Sequence, residues 1–204
     1  MIDSIWEWLL TNWVEVLGAV LGLIYIFLSI KQSIYTWPVG LLTSALYVYV
    51  FLVAKFYADM GLQLYYVLVS IYGWYFWAKG NPKADRPLEI SQTPRHLWVW
   101  LVLASAVFFG FIHFILKNYT DSPVAAADAF TTALSLVATW MLARKYMEHW
   151  LIWVFVDAFS AVLYGWKGLW PTSALFVVYT VLAVAGYQEW RNKLKNLKLE
   201  AATL

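Results

Sequence analysis

Asp157 stands deep inside an apolar run, four residues after Trp153 and seven after Trp150. An ionised carboxylate at the centre of a membrane-crossing helix costs about 2.5–3.5 kcal/mol on insertion scales, so such residues mark pathways more often than packing. Three roles are open to it: an anchor for a cationic substrate, a carrier of a coupling proton, or a hydrogen bond that fixes helix packing. Trp150, Trp153, Asp157 and Tyr164 recur at helical spacing and share a face, with Lys167 near its end. Trp150, Trp153 and Trp74 can each stack on a flat aromatic or cationic ring, an attraction of roughly 0.5–2 kcal/mol per contact. As membrane aromatics they fit an interfacial belt equally well, Trp150 in particular lying near a span boundary.

A second polar stripe runs through Asp59, Gln63, Tyr66, Ser70, Trp74 and Trp77 at spacings of four, three, four, four and three. It marks one helix face. Thr172, Tyr179, Gly186 and Trp190 repeat part of it later in the chain. Gln63 offers donors and an acceptor suited to an amide or a sugar hydroxyl, or to bonding between helices. Lys55 and Asp59 stand four apart and are placed to pair with each other. His113, Asp128, Glu148 and His149 fall at span ends, where solvated or capping roles are expected. Phosphate-binding loops, zinc-binding His pairs and nucleophile elbows are missing from the sequence, and with no cysteine there is no thiolate. No catalytic residue, metal site or cofactor is expected.

The elements that must position these residues are membrane helices. Hydrophobic residues make up 63% of the chain, aromatic residues 20% and charged residues only 13%, about half the charged share of a soluble domain. Apolar runs of membrane length fall at about 13–30, 37–54, 58–78, 97–116, 124–142, 149–166 and 170–190. That predicts an all-α integral membrane protein of seven transmembrane helices. Nothing basic precedes Lys31, while Asp3, Glu7 and Glu15 precede or enter the first span, so that span reads as retained rather than as a cleaved signal. Lys31, Lys79, Lys83, Arg86, Arg95, Arg144, Lys145, Arg191, Lys193, Lys195 and Lys198 gather on one side, against Lys55, Lys117 and Lys167 on the other. Positively charged loops stay cytoplasmic, which puts the N-terminus outside and the C-terminus inside. A net charge of +2 spread between spans gives no footprint for nucleic acid.

Sliding the chain on itself by 113 residues superposes 17–77 on 130–190 without a gap. Eight identities result, among them Trp37/Trp150, Tyr66/Tyr179, Gly73/Gly186 and Trp77/Trp190. Two similar three-helix bundles are then expected, 1–78 and 124–190, joined by a cytoplasmic linker and fourth helix at 79–123 and followed by a cytoplasmic tail at 191–204. Parallel repeats of this kind are related by an axis along the membrane normal, with the substrate site between them near the midplane.

The stretches YADMGLQLYYVLVSIYGWYFW at 57–77 and WLIWVFVDAFSAVLYGWKGLWPTSALFVVYTVLAVAGYQEW at 150–190, with Trp37-Pro38, resemble the PnuC family of bacterial vitamin transporters. The resemblance implies a 3+1+3 fold shared with SWEET-type sugar transporters and facilitated diffusion of a vitamin across a bacterial inner membrane. It also implies a homotrimer and a cytosolic kinase that traps the solute. By position, its tryptophan pair falls on Trp150 and Trp153 and its Leu-Gln pair on Leu62 and Gln63. Many nicotinamide riboside carriers would have an asparagine where this chain has Asp157. Nicotinamide riboside and thiamine, both flat and cationic, suit a carboxylate better than riboflavin does. The residues expected to line the site are Trp150, Trp153, Asp157, Gln63, Tyr66, Asp59, Trp74, Tyr164, Thr172 and Tyr179. The alternatives are proton-coupled uptake through Asp157 and, remotely, a membrane-embedded enzyme using Asp157 and His149.

Overall fold

The computed structural model describes residues 13–54, 57–80 and 88–202. Within them lie seven helices: α1 Trp13–Ile30, α2 Thr36–Ala54, α3 Tyr57–Lys79, α4 Arg95–Tyr119, α5 Ala125–Ala143, α6 His149–Trp166 and α7 Trp170–Ala202. Five of these, α2 and α4 to α7, are long and apolar enough to cross a membrane, while the described apolar part of α1 spans Leu17–Ile30. The α3 helix carries Asp59, Gln63, Ser70 and five tyrosines, which lower its mean hydropathy. The α7 helix passes unbroken beyond residue 190 to Ala202. Asp3, Glu7, Lys55, Asn81-Pro82, Lys83, Arg86 and Pro87 lie outside the described residues.

The principal contacts run α1 to α2 to α3 to α5 to α6 to α7 and back to α1, a ring of six helices. The α4 helix stands apart from that ring, seated on α5 through Leu101, Val137 and Met141. Most of the large side chains exposed along these helices are apolar or aromatic, as lipid requires.

At positions 113 apart the backbone repeats itself. α1 ends where Gln32 takes a left-handed φ of 55°, its N–H donating to Ser29 O at 3.0 Å and that of Ser33 to Leu28 O at 2.9 Å. α5 ends where Lys145 takes a φ of 53°, its N–H donating to Leu142 O at 2.9 Å and that of Tyr146 to Met141 O at 3.0 Å. Both are Schellman stops, with a non-glycine residue in the conformation glycine favours. Trp37 meets Trp77 edge-on at 5.3 Å, and Trp150 meets Trp190 edge-on at 5.8 Å. Trp77 Nε1 donates to Ala143 O, the last carbonyl of α5, and Trp190 Nε1 donates to Ile30 O, the last carbonyl of α1, each at 3.2 Å. Each indole thus satisfies a helix-end carbonyl that has no partner within its own helix.

These tryptophans, with Leu142, Met147 and Leu194, seal the end of the ring that carries the α1–α2 and α5–α6 turns. The segment before α4 reinforces the seal on one side only. Ile90 is buried in the cluster, Ser91 exchanges backbone hydrogen bonds with Lys145 O and Met147 N–H, and Thr93 donates through N–H and Oγ1 to the Glu148 carboxylate at 2.8 and 2.7 Å. Lys145 Nζ lies 4.5 Å from the Trp77 ring centre and donates to Leu88 O at 2.8 Å.

Burial, with repulsion from Lys193 against the pull of Glu89, lowers the Lys145 ammonium to about 8. Its unfolded value is higher, so between about pH 8 and the ordinary lysine range the unfolded chain holds one more proton, and stability rises with pH across that window. Lys145→Gln, which installs the residue found at position 32, should flatten that rise. Melting temperatures of wild type and variant at pH 7, 8, 9 and 10 measure the difference, and parallel curves would exclude Lys145 as the cause.

Candidate functional site

Next to the sealed end, between the α1–α3 and α5–α7 halves of the ring, lie two adjoining cavities. One, of about 210 Å³, is bordered by Tyr25, His149, Trp150, Trp153, Asp157 and Tyr179 among others. The second, of about 190 Å³, is bordered by Tyr66, Ser70, Thr43 and Ser44. Gly22, Tyr25 and Trp153 belong to both. Neither alone reaches the ~300–1,000 Å³ usual for drug-sized ligands, and the two together do. Gly22 permits this arrangement, because a Cβ there would collide with the Tyr179 hydroxyl.

The first turns of α6 place His149, Trp150 and Trp153 on the face that continues to Asp157. Asp157 is 5% exposed and accepts no hydrogen bond from any described residue. Among the described residues no Lys or Arg borders either cavity. The site is therefore aromatic walls around one carboxylate that the protein leaves without a counter-charge. The cations nearest the sealed end are engaged elsewhere: Arg144 lies over Phe76 at 4.7 Å and donates to the Tyr72 hydroxyl at 3.3 Å.

Of the expected site residues, Trp150, Trp153, Asp157, Tyr66 and Tyr179 come together around these cavities. Five do not border them. Asp59 is exposed near the start of α3, Gln63 is half-buried on α3, Trp74 is 41% exposed on its outer face, and Thr172 sits half-buried in the first turn of α7. Tyr164 stacks on Phe176 at 5.3 Å, behind the cavity wall, with Lys167 5.7 Å from its ring centre.

The end-of-span residues divide. Glu148 receives the Thr93 bonds and Asp128 accepts from Ser122 Oγ at 2.9 Å, so each ties its helix start to the preceding segments and neither caps the helix with its side chain. His149 departs from the solvated role expected of it: it is fully buried between Trp150 and Trp190, at ring distances of 4.6 and 4.9 Å. The fold buries it because the turn before α6 is roofed by the linker and by α7. Tyr25, Thr43 and Ser44 also border the cavities, and only their shared spacing with Gly22 and Gly40 on α1 and α2 could have singled them out.

A third cavity, of about 580 Å³, lies between α4, α5 and α6 and is almost wholly apolar, with Ser105 its one polar border. It lacks the convergent polar groups of a solute site.

Residues 12–192 match the family described as nicotinamide mononucleotide transporter. The nicotinamide riboside transporter PnuC of Escherichia coli K12 is 27% identical over 209 residues, covering 91% of this chain and 87% of that protein. The riboflavin/roseoflavin transporter RibM of Streptomyces davaonensis is 28% identical over 184 residues, covering 87% and 84%. Among solved structures, the crystal structure of the vitamin B3 transporter PnuC superposes with a TM-score of 0.72 at 25% identity, covering 95% of this chain and 87% of that one.

Proposed function

Since the chain belongs to the nicotinamide mononucleotide transporter family, a family whose matched relatives are membrane transporters and not enzymes, we propose that it is a uniporter for a cationic water-soluble vitamin, nicotinamide riboside or thiamine. One observation carries the choice of a cation: among the described residues Asp157 is the only acidic one bordering these cavities, and no Lys or Arg borders them. An uncompensated charge in low dielectric favours a ligand that brings the opposite charge, and aromatic walls add cation–π attraction. Riboflavin, which RibM carries by name, has no fixed positive charge to offer.

In this reading α1–α3 and α5–α7 are parallel repeats in a SWEET-like 3+1+3 arrangement. The Schellman stops at Gln32 and Lys145 and the crossed bonds of Trp77 and Trp190 support it. Alternating access is then a rocking of two bundles that hold each other by reciprocal indole bonds. The sealed end is cytoplasmic by the placement of Lys and Arg, the membrane is a bacterial inner membrane, and the N-terminus faces outward. Assembly as a homotrimer, and trapping of the vitamin by a cytosolic kinase, complete the proposal.

Titrating the purified protein with thiamine, nicotinamide riboside and riboflavin, read by intrinsic tryptophan fluorescence, should give saturable binding of one or both cations and weak binding of riboflavin. In proteoliposomes without a pH gradient, uptake of the bound vitamin should stop at equal concentrations inside and out. Binding of riboflavin alone would remove the charge argument. Accumulation driven by an imposed pH gradient would replace uniport with proton coupling, the second reading that an unpartnered Asp157 supports.

A further inference from the structure

Buried polar atoms without a partner are rare in folded proteins, and each needs a physical explanation. His149 supplies one. Its Nδ1 lies 2.8 Å from Tyr146 O, a group that only accepts, so Nδ1 carries the proton and Nε2 of the neutral ring is left as an acceptor. Nε2 is buried and meets no donor among the described residues.

The matching turn of the first half sharpens the point. Thr36 and Trp37, 113 residues earlier, also have an unpartnered Oγ1 and Nε1, and both are fully buried. Neither borders the two adjoining cavities, whereas His149 and Trp150 border the one that contains Asp157. The two halves share this turn and its backbone hydrogen bonds, Thr36 N–H to Ser33 O and His149 N–H to Tyr146 O, yet of these two turn residues only His149 borders a solute-sized space.

His149, Trp153 and Asp157 follow one another at intervals of four on α6, so they line one face over two turns, about 12 Å. Resting on the reading of this cavity as a vitamin site, we infer that His149 is a specificity-determining residue whose Nε2 accepts a hydrogen bond from an exocyclic N–H of the ligand. The ligand class is a flat cation bearing a primary amide or a ring amino group. It lies along α6 with its N–H donor toward the sealed end, its ring against Trp153 and its positive charge toward Asp157. A site that hydrogen-bonds an N–H rejects the analogue lacking it, because the buried acceptor is then left unpaired.

The test uses the full-length protein and two matched pairs: nicotinamide riboside with its N,N-dimethylamide, and thiamine with its dimethylamino analogue. Wild type should bind the preferred parent at least about tenfold more tightly than its dimethylated partner. His149→Phe keeps the aromatic contacts and removes the acceptor, so it should weaken the parent about tenfold and bind both members of the pair alike. His149→Gln, which restores an acceptor, should recover part of the discrimination, and it carries the test if the phenylalanine variant does not fold. Parent affinity within about twofold of wild type in His149→Phe, or discrimination that persists in either variant at its full value, overturns the assignment of His149 alone. Wild type that binds none of the four compounds overturns the vitamin-site reading and this assignment with it.

Discussion

Asp157→Asn is expected to weaken binding of the cationic vitamin by about tenfold or more while leaving the protein folded. The side chains are nearly isosteric, so shape and packing at the cavity wall are kept and the charge alone is removed. Because Asp157 is 5% exposed and no described Lys or Arg borders the cavities, the cation of the proposed ligand would be the carboxylate's principal partner. Charge-assisted contacts of this sort are worth roughly 1.5–3 kcal/mol, which is one to two orders of magnitude in affinity. The apo protein should show the opposite sign. A membrane-buried carboxylate without a partner destabilises the fold, so the asparagine variant should melt at the same temperature as wild type or higher. Titration and melting curves on the same preparation read both effects. An unchanged affinity in a well-folded variant would take Asp157 out of the ligand's reach, and a large fall in melting temperature would make it a packing residue.

Much of this arrangement is legible in the residues, and the illegible part has definite physical causes. Helix periodicity places Trp150, Trp153 and Asp157 on one face because neighbours at three and four residues must lie together. Periodicity also draws the α3 stripe from Asp59 to Trp77, but it cannot say how far along that stripe the ring encloses space. Tyr66 and Ser70, at the middle of α3, border a cavity, while Asp59 is exposed toward one end and Trp74 toward the other. His149 is hidden from sequence for a different reason. A histidine one residue ahead of an apolar run looks solvated, and what buries it is Trp190 of α7 packed against its ring, with the linker residues Ile90 to Thr93 folded back over the α5–α6 turn beside it. The linker contact joins residues more than fifty positions apart, and no local pattern announces it. The 113-residue repeat lies between these cases. Its identities are few, yet those at Trp37, Gly73 and Trp77 fall together, the Trp37 ring lying edge-on to Trp77 and over the bare Cα of Gly73, as do their counterparts Trp150, Gly186 and Trp190.

Those glycines give the second large effect. A Cβ on Gly186 would sit 2.7 Å from the Trp150 ring, and one on Gly73 would collide likewise with the Trp37 ring. Neither indole can retreat easily: Trp37 and Trp150 are 0% and 3% exposed and are held edge-on by Trp77 and Trp190. Overpacking of this kind costs about 1–3 kcal/mol. Gly110 is the control, since nothing lies within 4 Å of a Cβ there, and alanine in a helix interior is favoured over glycine by ~0.5–1 kcal/mol. Gly73→Ala and Gly186→Ala should therefore lower the melting temperature by similar amounts, and Gly110→Ala should leave it unchanged or raise it. Ligand binding should separate the two destabilised variants. Trp150 borders the cavity and Trp37 does not, so an alanine at 186 that displaces Trp150 should weaken the vitamin several-fold beyond any effect of alanine at 73. If both variants bind as wild type does, Trp150 serves the seal and not the site, and its place on the cavity wall is incidental to recognition.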